Sequence, residues 1–111
     1  MKLKNYEIYN YALKLQNIFN DNIQYIPIKL NFIIQKNKKI LYDLATEIEY
    51  LRLSILQNEK LSKEEKHKEL YDLENIEQDI DIKTIKVNIF AYDNIELTSN
   101  QMEAILFMFE D

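Results

Sequence analysis

The chain has 111 residues, of which 47% are hydrophobic and 30% charged, and its formal net charge is -5. This length and composition predict a single folded domain over residues 1–111 and exclude a disordered chain, which would be depleted in large apolar side chains. The chain has no Cys and no Gly, which excludes disulfides, Cys-ligated zinc and the glycine-dependent loops that hold nucleotide phosphates or a catalytic serine.

The first predicted helix runs from Asn5, a candidate N-cap, to Phe19. Apolar side chains recur on one face at helical spacing, which predicts the core side of the helix. They are Ile8, Ala12, Leu15 and Phe19. A turn is expected over residues 20–26. Because Gly is absent, we expect Asn where the backbone needs a left-handed conformation near helix ends. The candidates are Asn20, Asn22, Asn58 and Asn94.

A long central helix is predicted from Pro27, which fits a first helical turn, to about Gln57. Its apolar stripe consists of Leu30, Ile33, Ile34, Ile40, Leu41, Leu44, Ile48, Leu51 and Ile55. At 1.5 Å per residue the helix would be about 45 Å long, more than the width of a domain of this size, so it either breaks or projects. Asn37 interrupts the stripe, and we interpret it as a point where the helix meets water and not as a buried, register-setting amide.

The third predicted helix starts at Ser62, which forms a capping-box pattern with Glu65, and runs to about Glu77. It has few apolar side chains and is expected to be the most exposed helix. Strand-like alternation follows at Ile80, Ile82, Val87 and Ile89. A strand needs a pairing partner, and the sequence leaves three alternatives: residues 95–97, the start of the chain at 1–4, or a second copy of the chain.

The last predicted helix begins at Thr98, which forms a second capping-box pattern with Gln101. Its apolar face consists of Met102, Ile105, Leu106 and Phe109. The predicted fold class is therefore mostly α (α+β), with four helices, one of them long and central, and a small β element near residues 80–90.

Sequence features that would indicate catalysis or a membrane span are weak. No apolar run reaches the roughly 18 residues of a spanning helix and the first residues lack a signal-peptide pattern, so we expect a cytoplasmic protein. His67 lies among Lys and Glu and is expected at the surface. Glu77, Asp79 and Asp81 are dense in carboxylates but do not match a calcium loop. We predict no metal, no cofactor and no enzymatic activity, and hence a protein that works by binding a macromolecule.

Charge is divided along the chain. Residues 1–68 carry twelve Lys or Arg and eight acids, net +4, whereas residues 69–111 carry two Lys and eleven acids, net -9. Six carboxylates follow Lys68 without an intervening cation, and they form the first candidate partner-binding set: Glu69, Asp72, Glu74, Glu77, Asp79 and Asp81. Either they mimic a nucleic-acid backbone, pair with the basic part of a second copy, or form a solvated face. The basic cluster at residues 36–39 lacks interleaved aromatics, so direct nucleic-acid binding is not expected.

A second candidate set consists of apolar residues that fall outside the predicted core stripes. These are Tyr6, Tyr9 and Leu13 on the first helix and Tyr42, Tyr50 and Leu53 on the long helix, with Phe32 beside them. Tyr is favoured at interfaces because it brings large area and tolerates water at one end. The alternative is that the fold covers both sides of the long helix, and the sequence leaves open which set forms an interface.

Four segments resemble a family of small proteins from tailed phages and prophages of low-GC Gram-positive bacteria, whose function is unknown. They are Met1–Glu7, Ile26–Lys29, Gln35–Asn37 and Ile95–Thr98, the last before a short helix rich in Met and Phe. The chain is shorter than those relatives around residues 57–68. The resemblance covers most of the chain, but its motifs are mainly structural and imply no catalytic residues.

A phage origin implies two roles for a small acidic binder. The first is an anti-CRISPR-like inhibitor that covers a functional surface of a host defence nuclease; the second is a component or chaperone in virion or tail assembly, for which a homodimer is one form. A metal-dependent enzyme is the third and least favoured class, and it would lose turnover on Asp79→Ala or Asp81→Ala. The resemblance places the protein in the cytoplasm of a bacterial host.

Overall fold

The computed structural model describes residues 1–19, 26–86 and 97–110, with the side chains of residues 18 and 19 outside the description. The elements are β1 (Lys2–Lys4), α1 (Asn5–Phe19), α2 (Ile28–Leu56), α3 (Lys63–Glu74), β2 (Glu77–Asp79), β3 (Ile85–Lys86), α4 (Ser99–Ile105), a 3-10 turn (Leu106–Met108) and β4 (Phe109–Glu110). The mostly helical fold class with a long central helix and a small β element is confirmed.

The long helix α2 is continuous over 29 residues, so it projects and does not break. The molecule measures 57 × 28 × 20 Å accordingly. Its buried stripe contains Leu30, Ile34, Leu41 and Ile48, and α1 packs on it through Ile8 and Leu15. The predicted stripe was wrong at Leu51, which is 48% exposed, although Ile55 one turn later packs against the core.

Asn37 is buried, which corrects the prediction that it meets water. Its Nδ2 donates to the carbonyl of Lys83 and its Oδ1 accepts from the N–H of Lys83, each at 2.8 Å. The amide thus acts like a neighbouring strand and satisfies a backbone segment that has no ladder partner at this point.

Asn5 lies in the first turn of α1 and is not its N-cap. The backbone N–H of Lys4 donates instead to the carboxylate of Glu7, at 3.0 Å. The Asn5 side chain is buried and bridges elements, donating to the carbonyl of Leu73 at 2.8 Å and accepting from Nε2 of Gln78 at 2.7 Å.

The β element differs from the predicted single strand. The start of the chain, β1, pairs antiparallel with β2, while β3 pairs in parallel with β4. Ile80 and Ile82 are buried, but the N–H of Ile82 bonds to the carbonyl of Ile80 in a tight turn. Ile80 continues the β1–β2 pairing, since its N–H donates to the carbonyl of Met1 at 2.8 Å and its carbonyl accepts from the Met1 amino group at 3.0 Å. Ile82 lies in the turn, so its burial does not reflect a ladder, and residues 87–90 lie outside the description.

Both predicted capping boxes are present, at Ser62 with Glu65 and at Thr98 with Gln101. The helix α3 ends at Glu74, earlier than predicted, because residues 77–79 join β1. On the last apolar face Ile105 is buried, but Leu106 is 55% exposed because the chain tightens there into the 3-10 turn.

The absence of Gly is accommodated without left-handed backbone in the described residues, none of which has a positive φ. Asn58 is therefore not in the left-handed conformation that we expected. The other three asparagines with this expectation, at positions 20, 22 and 94, lie outside the description.

Candidate protein-interaction surfaces

An open apolar groove lies between α1 and α2, and we name it the tyrosine groove. Its cavity is about 370 Å³ and it is lined by Tyr9, Ala12, Leu13, Gln16, Tyr42, Ala45, Thr46, Glu49, Tyr50 and Leu53. The core-facing residues of both helices hold them side by side. The next exposed positions on each helix therefore form the groove walls.

Five of the six apolar candidates from the sequence meet in the tyrosine groove. They are Tyr9, Leu13, Tyr42, Tyr50 and Leu53, and all five are exposed. Tyr6 lies in an adjoining hollow that contains Arg52 and Glu74. Phe32 is 61% exposed on α2, one side of its ring lying 5.3 Å from Nζ of Lys36. The predicted set is therefore largely one continuous surface.

The edge of the tyrosine groove is held by an ion pair between Arg52 and Glu49. The guanidinium makes two hydrogen bonds to the carboxylate, at 2.9 and 2.8 Å. The hydrogen bond from Arg52 lowers the pKa of Glu49, and the same contact raises the pKa of Arg52. The charges of Glu49 and Arg52 beside the tyrosines are therefore paired with each other.

A second groove lies between the end of α2 and α3, and we name it the acidic groove. Its cavity is about 470 Å³ and it is lined by Leu51, Ser54, Ile55, Asn58, Leu61, Glu69, Asp72, Leu73 and Ile76. Leu51 and Ile76 are 48% and 51% exposed. Sequence reasoning missed this apolar floor because it placed Leu51 in the core-facing stripe of the long helix and singled out no apolar residue of the third helix as an interface candidate.

The six carboxylates of the acidic set are all exposed, but they do not form one face. Glu69 and Asp72 line the acidic groove, whereas Glu74 lies in the hollow beside Tyr6. Asp79 contacts the amino group of Met1 at 3.2 Å, Asp81 contacts Nζ of Lys83 at 3.0 Å, and Glu77 lies on β2. Their scatter argues against mimicry of a regularly spaced phosphate backbone.

Glu69 and Asp72 are the two acidic candidates with both an apolar groove beside them and unpaired charges. Within the described ranges, neither carboxylate makes a hydrogen bond or an ion pair. Glu65 precedes them on the same ridge of α3, where its carboxylate accepts from the backbone of Ser62. Unpaired carboxylates above apolar side chains are the combination that a cationic protein surface would complement.

No group of three or more His, Asp or Glu side chains that could hold a metal ion occurs in the described part of the chain. His67 lies exposed on α3, as predicted from its neighbours. None of the described helices combines the length and apolarity needed to cross a membrane.

The chain matches no protein-family model, no curated protein and no solved structure. Functional inference therefore depends on the two grooves and on the charges around them.

Proposed function

We propose that this protein acts without catalysis, in the cytoplasm of a bacterial host, as a phage-type inhibitor that covers a basic surface of a host defence nuclease. The observation that carries the proposal is the acidic groove, where Glu69 and Asp72 stand unpaired beside an exposed apolar floor. The resemblance to small phage proteins supports the type of host and the absence of catalytic residues.

A nuclease suits this surface because it must present Lys and Arg to bind a polyanionic substrate. The acidic C-terminal part of the chain, net -9 over residues 69–111, would speed its approach to such a surface. After contact, Leu51 and Ile76 would lose water, which supplies affinity that charge does not. The complex would block the nucleic-acid path without any chemical step.

The proposal is tested with a panel of purified CRISPR nucleases from low-GC Gram-positive bacteria, in plasmid cleavage and direct binding assays. We expect one nuclease to be inhibited at a stable 1:1 ratio of protomers. Glu69→Gln/Asp72→Asn should weaken binding about tenfold or more, since two charge-assisted contacts are lost. Leu51→Asp should do the same by placing a carboxylate on the apolar floor.

The matched control is Glu64→Gln/Glu103→Gln, which removes the same net charge at exposed positions outside the acidic groove. It should bind with nearly unchanged affinity. Equal losses from the two double variants would show a general charge effect and reject the groove, and a panel without any bound nuclease would reject the proposal.

A component of virion or tail assembly is the second candidate, favoured by the exposed tyrosine groove, which offers a surface for contacts between structural subunits. It predicts that the protein is retained in purified phage particles. The nuclease inhibitor would be absent from the particles and present in the infected cell.

A further inference from the structure

The outward side of α2 carries a full-length row of positions that the described residues leave exposed, and we name it the outer stripe. It consists of Ile28, Phe32, Gln35, Lys39, Tyr42, Thr46, Glu49 and Leu53, of which only Glu49 is half-buried. Ile28 and Phe32 are 79% and 61% exposed, high values for large apolar side chains. Such exposure is costly unless another surface covers it.

The spacing of the outer stripe alternates between four and three residues along its whole length. This is the spacing at which one helix packs along another, because alternating steps of four and three keep side chains on one seam. The buried stripe of α2 is a separate row, through Leu30, Ile34, Leu41 and Ile48. The helix therefore presents one seam to its own core and a second seam to the outside.

We propose that a second copy of this chain occupies the outer stripe, with the two α2 helices antiparallel about a two-fold axis near Ile40 and Leu41. The apolar ends of the stripe then complement each other. Ile28 of each copy lies opposite Leu53 of the other, and Phe32 lies opposite Glu49, which lines the tyrosine groove beside Tyr50. Phe32 thereby enters the tyrosine groove, and the contact is made twice by symmetry.

The polar middle of the outer stripe fits the same register. Gln35 lies opposite Thr46, and Lys39 lies opposite Tyr42, whose ring suits a cation. A parallel arrangement would instead place Lys39 against Lys39, a repulsive contact. Polar residues at such seam positions lower stability but select one orientation and register.

Charge beside the outer stripe supports the antiparallel copy. Lys36 and Asp43 are exposed on the same flank of α2, and in the described residues Asp43 has no ion pair. In the antiparallel register Lys36 of each copy lies beside Asp43 of the other. Each copy thus supplies Lys36 to one ion pair and Asp43 to the second, equivalent ion pair.

This dimer is independent of the proposed function. No residue of the outer stripe lines the acidic groove, so both acidic grooves stay open in the dimer. Loss of dimerisation with retained nuclease binding, or the reverse, would separate the two proposals.

The first measurement is sedimentation equilibrium of the full chain from about 1 μM to about 1 mM, a range in which small interfaces associate. The mass is expected to rise from the 13.5 kDa of one chain towards twice that value. Phe32→Glu should keep the protein monomeric over this range, and its circular dichroism should match the wild type because Phe32 is exposed. If the protein is a monomer at every concentration, the proposal is wrong, and a helix of another protein becomes the alternative occupant of the outer stripe.

The register is tested by charge exchange. Lys36→Glu and Asp43→Lys should each weaken dimerisation about tenfold, since each replaces two attractions by two repulsions. The double variant should bind more tightly than either single variant, because the pairs are re-formed with reversed signs, while the contact of Lys36 with the Phe32 ring stays lost. A double variant as weak as the single variants rejects this register.

The orientation is tested by spin labelling, for which the Cys-free chain is suited. A nitroxide on Lys29→Cys should report a distance of about 35 Å between copies, from the helical rise over the intervening residues. A parallel pair would bring the labels within about 15 Å, close to the spacing of packed helices, and would overturn the antiparallel arrangement.

Discussion

Two buried asparagines connect parts of the chain that are far apart in sequence. Asn37 bonds to the backbone of Lys83 through both atoms of its amide, and Asn5 joins α1 to Leu73 and Gln78. A buried amide is stable only if its polar atoms are paired, and in the described residues no buried side-chain nitrogen or oxygen lacks a partner. These two residues therefore help to specify how the helices meet the β segments.

Asn37→Ala should lower the free energy of unfolding by about 2 to 3 kcal/mol, since it leaves the N–H and carbonyl of Lys83 without their partners at a partly buried position. Urea unfolding followed by circular dichroism measures the loss. The matched control is Asn31→Ala on the same helix. Within the described residues the Asn31 side chain makes one hydrogen bond, accepting from the exposed Gln35 amide, so the cost should stay within about 0.5 kcal/mol. Equal losses for the two variants would contradict the role of Asn37.

The burial of Asn37 was not predictable from its neighbours in sequence. An Asn in an apolar stripe is equally consistent with a water-exposed site and a buried bond, and the deciding group, the Lys83 backbone, lies 46 positions away. By contrast, the burial of Ile8, Leu15, Leu30 and Leu41 was predictable, because helical spacing defines which side chains share a face.

At the scale of elements, two helices start with reciprocal capping boxes that differ in charge. Glu65 reaches back to the N–H of Ser62 at 3.1 Å, and Gln101 reaches back to the N–H of Thr98 at 3.0 Å. The first box has an ionised carboxylate near a helix N-terminus, whereas the second is neutral. The two helices therefore offer an internal comparison of how charge stabilises a helix start.

Ser62→Ala should destabilise the protein by about 1 kcal/mol, because the N–H of Glu65 loses its side-chain acceptor. Thermal unfolding gives the change. Ser54→Ala serves as the control, since the Ser54 hydroxyl only returns to the carbonyl of Tyr50 within an already formed helix. A cost for Ser54→Ala as large as that for Ser62→Ala would show that capping is not the cause.

Because Glu65 carries a charge in the capping box at Ser62, the loss of stability caused by Glu65→Ala should depend on pH. Hydrogen bonds from Ser62 lower the pKa of Glu65 below its usual value of 4.5. The unfolded chain therefore takes up this proton first as pH falls, and the stabilisation present above pH 4.5 is lost as pH falls through the lowered pKa. The cost of Glu65→Ala should shrink from pH 7 into that acidic range.

Gln101→Ala is the control for this pH dependence, because Gln101 carries no charge and its cost should stay constant over the same range. Unfolding by urea at several pH values compares the two variants. A cost of Glu65→Ala that is independent of pH would contradict the pKa direction.

At the scale of the whole molecule, the continuous α2 makes the protein elongated. The radius of gyration over Cα atoms is 16.8 Å, against about 13 Å expected of a compact chain of this length. Its core lies where α1 packs on α2 and on α4, and Tyr11 of α1 stacks on Phe107 with the ring centroids 4.1 Å apart. The C-terminal end of α2 forms the floor of the acidic groove with α3.

Small-angle X-ray scattering of the Phe32→Glu variant should give an elongated particle with a radius of gyration near 17 Å and not near 13 Å. This variant is used because dimerisation would otherwise add to the size. A value near 13 Å would mean that α2 bends in solution, and it would remove the straight outer stripe on which the dimer depends.

The sequence by itself determined where α3 and α4 start and how far α2 extends. It also determined which residues belong to the two candidate sets. Capping boxes and helical faces depend on residues within one or two turns, so local spacing is sufficient to predict them. Glu69 and Asp72 could be chosen as acidic candidates in this way. Their apolar companions Leu51 and Ile76 could not, since exposure depends on where the core ends.

Only the tertiary structure decided the strand partners, the bonds of Asn37 and Asn5, and the division of the acidic stretch. Each depends on segments distant in sequence, as when residues 2–4 pair with residues 77–79. It also brought Tyr9 and Leu13 beside Tyr42, Tyr50 and Leu53 in one groove. Side chains left over on two separate helices become one surface only when the packing angle and register of those helices are set.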